Sequence, residues 1–117
     1  MSNYAAPNGA LHSMLGPLAI ELSPVRINGV AAGLTRTAFW DALGLPGEAQ
    51  EQMFASARRL IPLGHVAQPD EIAQAMYFAA TNTYTTGTVL DTCGGLQLGQ
   101  MFRELEPSSF GSAGQRA

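Results

Sequence analysis

Two short β-prone stretches bracket a long helical insertion, and that arrangement constrains the fold more than any other feature of the chain. Residues 25–30 (Val-Arg-Ile-Asn-Gly-Val) follow Pro24, and residues 88–93 (Thr-Val-Leu-Asp-Thr-Cys) stop at Gly94-Gly95. Both are rich in β-branched residues and bounded by chain breakers, which reads as strand. A strand, a helical crossover and a second strand imply a parallel pair with a right-handed connection. Parallel sheets are ordinarily covered on both faces and extended at their edges, which two strands alone do not achieve. The expected class is α/β, with two parallel strands, about four helices, and a sheet edge that needs either another chain or a missing part.

The helices are read from apolar periodicity. Residues 4–22 place Leu11, Met14, Leu15, Leu18 and Leu22 on one stripe, with Ser2 or Asn3 as a cap and Ser23-Pro24 as a stop. Gly16-Pro17 lies inside that helix and predicts a kink, because a proline there removes a helical hydrogen bond at about 3 kcal/mol. Thr37 is a candidate cap for a short helix carrying Phe39 and Trp40. Residues 48–60 form a further helix with Met53, Phe54, Ala57 and Leu60 inward. Pro69-Asp70-Glu71 opens the last helix, with the acids where the helix dipole favours them, and Ile72, Ala73, Met76 and Ala80 as its buried face. Residues 1–98 are thus expected to form the folded domain, and residues 99–117, polar and rich in Ser and Gly, a loose tail.

Composition narrows the function. Hydrophobic residues at 46% and charged residues at 13% fit a globular chain rather than a disordered one. The six basic residues are all arginine and the net charge is −3, which offers no basic patch for a phosphate backbone, so no nucleic-acid partner is expected. Cys93 is the single cysteine, so neither an internal disulfide nor a thiolate metal cluster is expected; its bland role is a small buried hydrophobe. His12 and His65 lack partners at ligand spacing. No apolar run reaches the roughly 20 residues of a membrane span, and a cytoplasmic protein is expected.

Four stretches, in order, resemble the C-terminal half of the short-chain dehydrogenase/reductase family. Residues 4–11 (Tyr-Ala-Ala-Pro-Asn-Gly-Ala-Leu) are similar to its Tyr-x-x-x-Lys helix start. Residues 19–30 resemble its helix-to-strand passage ending in Arg-Val-Asn, and residues 32–37 (Ala-Gly-Leu-Thr-Arg-Thr) its Pro-Gly cofactor loop. Pro62-Leu63-Gly64-His65, Pro69-Asp70-Glu71-Ile72-Ala73 and the run from Thr86 to Asp91 with Gly94-Gly95 resemble its closing helix and strand. The resemblance implies the C-terminal half of a Rossmann-like doubly wound parallel sheet, an alcohol or carbonyl substrate, and NAD or NADP as cofactor.

It also implies roles, residue by residue. Tyr4 stands at the position of the catalytic tyrosine, and Asn8 at that of the lysine that stabilises its phenolate and holds the cofactor ribose. A phenol titrates near 10 and works at neutral pH only when its anion is stabilised. Asn8 can hydrogen-bond but carries no charge, and the chain has no lysine to substitute for it. Gly33, Leu34 and Thr37 match the cofactor loop, with Ala32 in place of its proline; Thr37 has the plain alternative of a helix cap. Phe39, Trp40 and Leu43 lie where the family has its substrate lid, an apolar lid for an apolar substrate, though core packing is the commoner role of such residues.

The family's Gly-rich pyrophosphate turn and its carbonyl-polarising serine precede the tyrosine, where this chain has three residues. The expectation is a truncated short-chain dehydrogenase/reductase-like protein, not catalytic as this chain alone. The alternatives are a non-catalytic interaction module, homo-oligomeric through helix 4–22 and the last helix and strand, or a degenerate remnant.

Overall fold

The computed structural model describes residues 2–98, with side chains from Ala5 onward. Its elements run α1 (Ser2–Glu21), β1 (Gly29–Ala32), α2 (Phe39–Ala42), α3 (Gly47–Arg58), α4 (Pro69–Thr81) and β2 (Val89–Thr92). The expected tail from residue 99, and the side chains of Ser2 and Asn3 as caps, lie outside the described residues.

β1 and β2 pair in parallel, with Gly29 opposite Val89 and Ala32 opposite Thr92. Class and strand count are as the sequence predicts, but the first strand is not. Residues 25–28 are not strand, and the ladder begins at Gly29. Val25 closes a turn onto the Leu22 carbonyl, and residues 26–28 are tied down by side chains rather than by a ladder. Arg26 Nη1 donates to the Ala79 carbonyl at 2.8 Å, and its Nη2 to that of Ala80. Those carbonyls are among the last of α4, which have no helical partner, so a cationic fork there satisfies orphan acceptors and complements the helix dipole. Asn28 Nδ2 donates to the Thr85 carbonyl at 2.7 Å, and the Ile27 N–H to Thr86 Oγ1 at 3.1 Å. The β-branched pattern of residues 25–28 therefore marks a clamp, and the strand begins only after it.

The actual strand, Gly-Val-Ala-Ala, is a poor β former by propensity and exists because β2 pairs with it. A side chain at Gly29 would have to displace Leu15 of α1, since its Cβ would lie 2.7 Å from Leu15 Cδ1. The turn before β2 approaches the same helix, since a Cβ at Gly87 would sit 3.5 Å from Ala19 Cβ and 3.9 Å from Gly16 Cα. The helical assignment of α1 runs unbroken through Gly16-Pro17. Of its predicted stripe Leu15 and Leu18 are half-buried, whereas Leu11, Met14 and Leu22 stay exposed.

α4 opens as predicted, and the Glu71 carboxylate reaches back to accept the Gln68 N–H at 2.8 Å. Its buried face is displaced from the expected one. Ile72 is buried and Ala75 and Ala79 are half-buried, while Ala73, Met76 and Ala80 are exposed. A stripe through 72, 75 and 79 follows the helical period as well as one through 72, 76 and 80, and contact with the two strands selects the former.

The described residues form two compact units. One comprises residues up to 35 together with 67–92, and the other residues 36–66 with the chain from Cys93. In the second, Phe54, Ile61 and Val66 are buried, and Trp40, Met53 and Ala57 are half-buried. Leu60, expected inward, lies beyond the end of α3 and is 39% exposed.

Candidate functional site

Tyr4 and Asn8 sit about one turn apart along the backbone of the first half of α1. Asn8 lines a cleft of about 570 Å³ together with His12, Leu15 and Leu18 of α1 and the residues of β1. The Tyr4 side chain lies outside the described residues.

Gly33 and Leu34 follow β1 directly, and their backbone groups are largely in use. The Gly33 N–H donates to the Thr92 carbonyl at 2.9 Å and extends the ladder by one residue. The Gly33 carbonyl accepts Thr35 Oγ1 at 2.9 Å, and the Leu34 carbonyl accepts the Ala67 N–H at 3.1 Å. The loop is thus pinned to its own unit by three hydrogen bonds. In a parallel ladder alternate residues face the same neighbour. With the Gly29 and Gly33 amides turned to β2, the Val30 and Ala32 backbone groups face away from it.

In the other unit Thr37 is exposed and does not cap α2 through its side chain. The capping residue is Ala38, and Thr37 contributes its backbone carbonyl, which accepts the Trp40 N–H at 3.3 Å. Phe39, Trp40 and Leu43 do not behave alike. Trp40 meets Phe54 edge-on at 6.0 Å between ring centres, and Phe39 meets Trp40 at 5.1 Å. Arg36 lies over the opposite partner of Trp40, 4.3 Å from the Phe54 ring centre, and makes a bidentate pair with Glu51. Trp40 is an anchor into the buried Phe54, whereas Phe39 and Leu43 remain 59% and 56% exposed. The Arg36 pair holds the Glu51 carboxyl below the usual carboxylate range and raises the Arg36 guanidinium. Sequence reasoning missed this pair and the Arg26 clamp; both are long-range partnerships with no local signature.

A nucleotide cradle requires a Gly-rich turn between a strand and a helix, with backbone amides free to face the phosphates. Gly94 and Gly95, both with positive φ after β2, are closely packed. At Gly94 a Cβ would lie 2.7 Å from Ile61 Cγ2, and at Gly95 2.9 Å from Pro62 Cγ. The Gly33 amide is likewise held, donating to the Thr92 carbonyl in the ladder. No group of three or more His, Cys, Asp or Glu that could hold a metal ion occurs among the described residues.

A family model described as enoyl-(acyl carrier protein) reductase matches residues 1–97. A short-chain dehydrogenase/reductase from Stachybotrys chlorohalonatus is 35% identical over 91 residues, which span 78% of this chain and 35% of that protein. Carbonyl reductase family member 4 of Danio rerio is 40% identical over 97 residues, spanning 81% of this chain and 37% of the relative. A crystal structure of a small-chain dehydrogenase in complex with NADPH superposes with a TM-score of 0.76 at 37% identity, covering 80% of this chain and 42% of that one. The fold and these matches define a part of a Rossmann-type α/β domain. The chain belongs to the short-chain dehydrogenase/reductase family. It spans 35–37% of the length of these two curated relatives.

Proposed function

We propose that this chain is the substrate-side part of an NAD(P)-dependent oxidoreductase acting on an alcohol or carbonyl compound, and that it is not catalytic by itself. The observation that carries this is the match over residues 1–97 to an enzyme family, combined with glycine turns filled by Ile61 and Pro62. Residues 1–98 form the C-terminal half of the family domain in this reading, and 99–117 its tail. Tyr4 exchanges a proton with the substrate oxygen. Asn8 stands where a positive charge would favour the phenolate, and its amide offers a hydrogen bond without that charge, so the reading assigns it a weaker activating effect. Gly33, Leu34 and Thr37 flank the cofactor, and Phe39, Trp40 and Leu43 cover an apolar substrate. The protein is cytoplasmic in this proposal; among the described residues no helix is long and apolar enough to cross a membrane.

A second reading, an oligomerisation module, draws on the exposed apolar side chains of two helices. Leu11, Met14 and Ile20 of α1 and Met76 and Tyr77 of α4 are all more than half exposed or close to it. Homo-oligomerisation through α1 and the last helix and strand is compatible with both readings.

A chimera separates them: residues 1–98 replace the matching segment of the Danio rerio relative, and NADPH consumption is followed with a panel of carbonyl substrates. The expected result is measurable turnover that rises with Asn8→Lys. It should fall on the order of 10²–10⁴-fold with Tyr4→Phe, the usual contribution of a general acid. A chimera that folds and binds NADPH but turns over equally well with Tyr4→Phe contradicts the catalytic assignment.

A further inference from the structure

We draw no further inference here: the strongest candidate, the open edge of β1 beneath α1, where the Val30 and Ala32 backbone groups and the Leu15 and Leu18 side chains border the cleft, is an unpartnered apolar face, and nothing in the structure shows whether a second copy, another segment or a partner chain covers it.

Discussion

The two units hold themselves together by different means. Among the described residues, 36–66 contain three of the four buried apolar side chains, Phe54, Ile61 and Val66, with Trp40 and Arg36 packed on the first. The sheet unit buries only Ile72 to that degree, although it is the larger of the two stretches. What it has instead is polar: the Arg26 fork on the end of α4, Asn28 on the Thr85 carbonyl, and a two-stranded ladder. Two strands are too few for independent stability without apolar cover on the sheet. The sheet unit depends on hydrogen bonds and leaves Leu11, Met14 and Ile20 exposed, whereas the other unit closes on an aromatic centre.

That contrast predicts where substitutions hurt. Phe54→Ala should be the most damaging, because it removes a side chain that is 3% exposed and leaves Trp40 and Arg36 facing a void. A loss of about 3–5 kcal/mol is expected in urea melts, the usual cost of emptying a Phe site. A loss under about 1 kcal/mol would mean that the cluster is not a core. Arg26→Ala comes next, at about 2–3 kcal/mol, since it strips charged hydrogen bonds from the terminal carbonyls of α4. Arg26→Lys should recover only part of that, because an ammonium lacks the fork that reaches the Ala79 and Ala80 carbonyls together. Full recovery by lysine would show that charge at the helix end matters, and the fork does not.

The smallest effect belongs to the Arg36–Glu51 pair. Glu51 is exposed, and pairs of that kind contribute little and are screened by salt. The sign follows from the lowered carboxyl of Glu51. Its contribution is whole above the ordinary glutamate value of about 4.3 and fades as pH falls through the lower folded value. Glu51→Gln should therefore be slightly less stable at neutral pH and indistinguishable from the parent in acid. A difference that persists in acid would place the effect in packing on Phe54 rather than in charge.

Much of this architecture is legible in the sequence, and the misses share a cause. The parallel pairing follows from the spacing of the two β-prone stretches, and α4 from Pro69-Asp70-Glu71, because both are local or topological signals. The first strand is misplaced by four residues since Val25 and Ile27 look more like strand than Gly-Val-Ala-Ala does. Only the Leu15 side chain against Gly29 and the pairing with β2 explain the true position. The face of α4 is misjudged for a similar reason, as alanines and Met76 satisfy two stripes equally until the strands choose between them. Of the candidate site, the assignment of Tyr4, Asn8 and Gly33 rests on motif order alone. That the Gly33 amide is held in the ladder, and that Trp40 is an anchor while Phe39 and Leu43 are exposed, depends on partners distant in sequence.

The central proposal is that this chain alone does not hold the nucleotide, and titration of the 117-residue protein with NADPH, followed by nicotinamide fluorescence, tests it most directly. The predicted result is no saturation below about 1 mM, equivalent to less than about 4 kcal/mol of binding. Saturable binding with a Kd near 1 μM, about 8 kcal/mol, would contradict it.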